Sequence, residues 1–347
     1  MNQITLSLAL SCMALLALTT SCKKDAGPTD ISNQFTVSTI AGNGIKGSVD
    51  GPASSSQFYS PTNIVADAQG NVYVSDNSKH SIRRISKDGT VNTLAGGTKG
   101  TADGKGASAQ FISVGPLALD AQNNVYVVDS MRIRKITPAG DVTSLTGALD
   151  GGYVNSAGIP NDVPGIAVDK LGSIYAVVKL ALSSRILKIE PSGQVTTFID
   201  TTQIYPTPGY ISTLHDIVID AAGNILVTRN VFLGYEIDKI SPSKMVSLLA
   251  STPDITGIAI NPSTSEVFFS GTVLECASLS SCKTLYQVYK LNSDGKYVAI
   301  AGADRGFADG PGNSARFDVT GGISADAAGN LYVADRENNR IRKISKL

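Results

Sequence analysis

The chain of 347 residues contains no Trp and only two His, His80 and His215. Without Trp, a stacking platform for sugars is weakened. Two His are too few for a zinc centre built from several imidazoles. Neither charge sign is in excess: 29 Lys and Arg balance 29 Asp and Glu. That balance argues against a nucleic-acid partner, which needs a basic surface, and against a polybasic membrane-binding face. Cys is scarce, at four. Cys12 and Cys22 fall in the apolar N-terminal stretch, leaving Cys276 and Cys282 as an isolated close pair. No second Cys or His pair lies near enough to complete a metal site, and redox motifs place two residues between their Cys, not five. No Gly-x-Ser-x-Gly elbow marks a nucleophile.

What the chain does have is a repeat. A Thr/Leu-rich strand, usually ending in Ala-Gly, closes at Ile40, Leu94, Leu145, Phe198, Leu249 and Ile300, at intervals of 51 to 54 residues. Each unit also holds an apolar stretch ending in Asp or Asn, a Gly/Asn turn, a Tyr-rich apolar strand and an Arg/Ile alternation. A period near 50 residues with four short strands per unit predicts an all-β, six-bladed β-propeller of antiparallel blades. Only five fourth strands follow a third strand. The missing one is Thr36–Ala41, ahead of the first unit, so the N-terminal strand is expected to close the ring and remove the exposed edges.

The domain reading has three parts. Residues 1–22 form an export signal, with an apolar core from Ile4 to Thr20 that is short for a membrane span. Its end, Leu18-Thr19-Thr20-Ser21-Cys22, resembles the lipobox of bacterial lipoproteins, which implies a lipid on Cys22 and membrane contact through that anchor alone. The Ser-Cys-Lys-Lys-Asp start is similar to outer-membrane lipoproteins of the Bacteroidetes, facing the periplasm or the cell surface. Residues 23–34 read as a flexible tether, and 35–347 as the propeller, expected to be a monomer. An oxidising compartment predicts a Cys276–Cys282 disulfide.

The repeat resembles the NHL family. The segments that carry the resemblance are Asp67–Ile85, Asp120–Ile136 and Asp326–Ile344, with the preceding loops Asp50–Phe58, Asp103–Phe111 and Asp309–Phe317. The likeness extends over roughly residues 35 to 347, and the middle three repeats are degenerate. It implies the framework and little chemistry. Some NHL propellers bind RNA, but here Arg83, Arg84, Arg132, Arg134, Arg340 and Arg342 alternate with Ile near Asp76, Asp129 and Asp335. Pairing inside the blade is the expectation. Gly42-Asn43-Gly44-Ile45-Lys46-Gly47 spells GxGxxG, yet no helix follows, so it is read as a connector. The Asp-Ala-x-Gly-Asn segments lack the ligand count of a calcium loop and read as turns.

Tight turns join first to second and third to fourth strands, so the longer connections gather on the opposite face. Variable loops on a rigid scaffold are where binding resides. Two groups of residues are candidates there. Tyr153, Tyr205, Tyr210 and Tyr235 with Phe232 form an aromatic set suited to contact. Asn63, Asp162, His215, Asp216 and Asp254 sit where first strands approach the axis. The resulting expectation is a non-catalytic scaffold without a cofactor that binds a protein, peptide or glycan. The alternative is a metal-dependent lyase or lactonase. Similar propellers use several His on zinc, or Glu, Asn and Asp on calcium, and Asn63, Asp162 and Asp216 would have to serve at the axis mouth.

Overall fold

The computed structural model describes residues 30–147, 162–180, 183–205, 213–231, 234–278 and 281–347. Six antiparallel sheets account for nearly all of them. Blade 1 comprises Pro61–Ala66, Val72–Asp76, Ser81–Ile85 and Thr90–Gly96. Blade 2 comprises Val114–Leu119, Val125–Asp129, Arg132–Ile136 and Asp141–Ser144. Blade 3 runs Asp162–Val168, Ile174–Lys179, Ser184–Ile189 and Val195–Asp200. Blade 4 runs Thr213–Ile219, Ile225–Val231, Gly234–Ile240 and Val246–Thr252. Blade 5 holds Asp254–Ile260, Val267–Ser278, Ser281–Leu291 and Tyr297–Ala301, and blade 6 holds Thr320–Ala325, Leu331–Asp335 and Arg340–Lys346. Each first strand touches the first strand of the next blade, and blade 6 touches blade 1. The ring is therefore closed.

Closure uses the strand expected from the sequence. Phe35–Ala41 pairs antiparallel with Arg340–Lys346, with Val37 opposite Ile344 and Phe35 opposite Lys346. Phe35 and Val37 are buried with Ile300, Phe317 and Ile344. Just upstream, at the end of the segment read as a tether, Ser32–Gln34 makes a 3-10 turn, Ser32 is buried and Ile31 packs on the same core.

Apolar residues from facing sheets fill the spaces between blades, in six clusters. The second strands are buried on both faces, which explains why Val72–Asp76 and Val125–Asp129 read as continuous apolar runs rather than alternations. The Ala-Gly phrase also has a cause. Gly42 and Gly96 take left-handed φ values of +94° and +88°, and a Cβ at either would run into the carbonyl of Asn339 or His80.

The Asp-Ala-x-Gly-Asn segments are turns. In the first, Asp67 Oδ1 accepts from the Gln69 and Asn71 amides at 3.0 and 2.8 Å, while Oδ2 accepts from Asn71 Nδ2 at 2.8 Å. Asp120, Asp220 and Asp326 repeat the pattern.

Two features go beyond the four-strand expectation. Gly51–Pro52, Gly104–Lys105 and Gly310–Pro311 add short fifth strands to blades 1, 2 and 6. In blade 5 the second and third strands run to 12 and 11 residues, so the segment read as a long connection is instead a projecting hairpin. Its tip carries the Cys276–Cys282 disulfide, and Glu275 faces Lys283 across the strands.

Candidate functional site

Blades 1, 2 and 6 share one buried charge motif. Arg83, Arg134 and Arg342 are essentially unexposed. They donate to Asp76, Asp129 and Asp335 at the ends of the second strands, at 3.4, 2.9 and 2.6 Å. Their other ends reach the connector carboxylates of Asp50, Asp103 and Asp309 at 2.6 to 2.7 Å. These guanidiniums are committed to the framework. Blades 3 to 5 depart from the motif. In blade 3 the equivalent positions hold Val178 and Leu187, in blade 5 Gly271 and Tyr289, by strand register. Blade 4 reverses the signs: Arg229 stands where the other blades have Asp, and Asp238 where they have Arg. Arg229 Nε donates to Asp238 at 2.8 Å.

The face that carries the blade-to-blade connections shows the same divide. Among the described residues, a half-buried polar cluster spans blades 3 to 5 there. Lys179, at the end of a second strand, lies with its Nζ 3.0 Å from His215 Nδ1. Since an ammonium can only donate, His215 accepts, and its Nε2 is left with the Thr213 hydroxyl at 3.4 Å. Burial, and then the Lys179 charge, push the His215 pKa down to about 4, so the imidazole is neutral at pH 7. Burial also lowers the Lys179 pKa, opposed by the negative charge of Asp162. Lys179 makes no ion pair within 4.0 Å among the described residues. The Tyr235 ring packs edge-on to His215, centroids 5.7 Å apart, with Asn230 and Asp254 beside its hydroxyl.

The other candidates are placed as follows. Asp216 and Asn63 both line the central channel, a space of ≈ 160 Å³ bounded by all six first strands. Asp216 Oδ1 accepts from the Ile217 amide at 2.9 Å, and Oδ2 from the Ile258 amide of blade 5 at 3.0 Å. It therefore ties two blades at the axis, and its depth in the disk raises its pKa to about 6. Asp162 is exposed at its strand start opposite Lys179, away from the channel lining. Tyr205 packs on the blade 3–4 core. Its hydroxyl donates to Asp238, and Arg229 lies over its ring at 4.0 Å. Tyr153, Tyr210, Phe232 and Cys22 lie outside the described residues. The structure thus joins His215 and Tyr235 in one cluster and leaves Tyr205, Asn63 and Asp216 in others. Among the described residues no group of three or more His, Cys, Asp or Glu is placed to hold a metal.

Sequence reasoning missed Lys179. The available signal was that the second strand of blade 3 ends in Val-Lys where three others end in Asp. The larger hollows were missed as well. Spaces of ≈ 450 and ≈ 810 Å³ open between blades 6 and 1 and between blades 4 and 5. Both are lined by the tight turns, on the opposite face from the Lys179 cluster.

The profile of the NHL repeat matches residues 321–344, the first three strands of blade 6. The chain is a six-bladed β-propeller with an NHL repeat in its sixth blade. It is 25% identical to teneurin-1 of Caenorhabditis elegans over 373 residues, which is 89% of this chain and 13% of teneurin-1. The propeller therefore spans a small part of that relative. Among solved structures it is similar to an auxiliary nutrient binding protein of Bacteroides thetaiotaomicron, with TM-score 0.60, 15% identity, and 90% and 76% of the two chains covered. It is also similar to virginiamycin B lyase of Staphylococcus aureus, with TM-score 0.55, 13% identity, and 90% and 100% covered. At those identities the propeller architecture is what is shared.

Proposed function

We propose that this propeller is an exported, lipid-anchored binding protein of the cell envelope that engages its ligand on the connection face of blades 3 to 5 and performs no chemistry. The observation that carries this reading is the half-buried Lys179, without an ion pair among the described residues, beside neutral His215, in the blades that depart from the repeat's own charge motif. A repeat conserves what holds it together, and departures that leave a cation half-buried and unpaired are typical of functional surfaces. Ligand binding by an auxiliary nutrient binding protein of the same architecture fits the reading. So does the reach of the N-terminal lipid signal, which would hold the disk at a membrane surface while no helix among the described residues is long and apolar enough to cross one.

The competing reading, a metal-dependent lyase or lactonase, draws on the shared architecture with virginiamycin B lyase. Asn63 and Asp216 share the channel, but Asp216 spends both oxygens on backbone amides. Metal analysis of the purified full chain separates the two. A scaffold holds no stoichiometric calcium or zinc. A stoichiometric ion lost in Asp216→Asn would overturn the binding reading.

A further inference from the structure

We propose that the Lys179–His215 cluster recognises the carboxylate of a sugar acid, so that the ligand of this face is a glycan bearing hexuronate. The inference rests on the binding reading above and deepens it. Lys179 Nζ gives one hydrogen to His215 Nδ1, at 3.0 Å, and two donors remain for an incoming group. No carboxylate within ion-pair distance neutralises it among the described residues. A half-buried ammonium in this position gains most from an anion that supplies the missing charge. One lysine beside a neutral ring suits a single negative charge. The negative charge of Asp162, which acts on Lys179, disfavours a doubly charged phosphate.

The same surroundings favour a sugar over a bare acid. Asp162 and Asp254 are both exposed, and each offers acceptors for hydroxyl groups. Asn230 and the Tyr235 hydroxyl offer donors and acceptors beside them. A hexuronate combines one carboxylate with several hydroxyls, which suits one cation with Asp162 and His215 beside it and further polar groups about Tyr235. The half-buried Tyr235 ring, in contact with His215, supplies apolar surface in a chain without Trp.

The test exploits the two histidines. The full mature chain, carbon-13 labelled at His, is titrated with D-glucuronate, D-glucose and acetate while the two Cε1–H resonances are followed. His80→Gln assigns them. Glucuronate is expected to move the His215 resonance saturably and leave His80 in place. Lys179→Met should weaken that response at least tenfold, Lys179→Arg should retain part of it, and glucose should have no effect. Urea unfolding of each variant checks that the fold persists, and Asp162→Asn, which leaves the lysine intact, provides a second variant expected to weaken glucuronate but not acetate. No movement of His215, or an unchanged affinity in a folded Lys179→Met, overturns the proposal. Acetate binding as tightly as glucuronate overturns its sugar part. If a neutral glycan or a peptide instead protects this face from hydrogen exchange, the binding function stands while the sugar-acid inference falls.

Discussion

Asp335→Ala in the closing blade should cost about 3–4 kcal/mol, because truncating one half of a buried ion pair strands the other. Arg342 has no exposed side-chain surface. Asp335 Oδ2 accepts from it at 2.6 Å, and Asp335 Oδ1 takes the Asp318 amide at 2.8 Å. Burial raises the Asp335 pKa against the pull of Arg342. The intact pair is therefore near break-even as a source of stability, but the alanine leaves the guanidinium with Asp309, which is 41% exposed, and two backbone carbonyls. That residual support sets the figure toward the low end of the usual range. Urea unfolding at pH 7 followed by far-UV circular dichroism reads the loss. Arg305→Ala, which removes a pair exposed at 61% on the arginine side, is the control and should cost less than about 1 kcal/mol. Blade 3 suggests a rescue: Asp335→Val with Arg342→Leu copies Val178 and Leu187 and should be less damaging than Asp335→Ala alone. A loss below about 1 kcal/mol for Asp335→Ala would refute the view that these pairs hold their blades.

Deleting Phe35–Ala41 should abolish cooperative unfolding, since it strips the pairing partner of Arg340–Lys346; a sharp melt in the deletion variant would contradict this. Asp216, raised from 3.8 to about 6, binds its proton more readily folded than unfolded, so its contribution makes stability rise as pH falls through 6. Asp216→Asn should flatten that rise in thermal melts between pH 7 and 5. His215 acts in the opposite sense: its pKa is depressed from 6.5 to about 4, so stability present at neutral pH is lost as pH falls from 6.5 toward 4, and His215→Gln should remove that loss. Reducing the Cys276–Cys282 bond should raise amide exchange in Val273–Ser278 and leave the main unfolding transition in place, because the outer hairpin pairs mainly with itself and meets the rest of the disk at Asp304.

The framework was legible because each blade repeats its turn chemistry and apolar pattern. The closing strand was legible because Thr36–Ala41 matches fourth strands that otherwise follow third strands. The pairs of Arg83, Arg134 and Arg342 followed from Arg/Ile alternation beside terminal Asp, but among the described residues Arg84, Arg132 and Arg340, expected to pair in the same way, make no ion pair, and Arg340 donates to backbone carbonyls instead. The blade 5 hairpin was not legible, because Thr272–Ser278 and Ser281–Leu285 lack the turn residues that end other strands and pair mainly with each other. The site was legible only in part. His215 and Tyr235 stood out as rare or aromatic residues near strand starts. Lys179 did not, because its meaning depends on which residue of the neighbouring blade it meets across 36 positions of sequence. The reversed pair Arg229–Asp238 shows the same limit: single-blade patterns reveal only what recurs.

Hydrogen exchange of the full mature chain with and without D-glucuronate tests the account most directly. Protection of peptides covering Ile174–Lys179, Thr213–Ile219 and Gly234–Ile240 is the predicted result. Protection confined to the opposite face, at Thr264–Val267 and Lys290–Gly295, would contradict it.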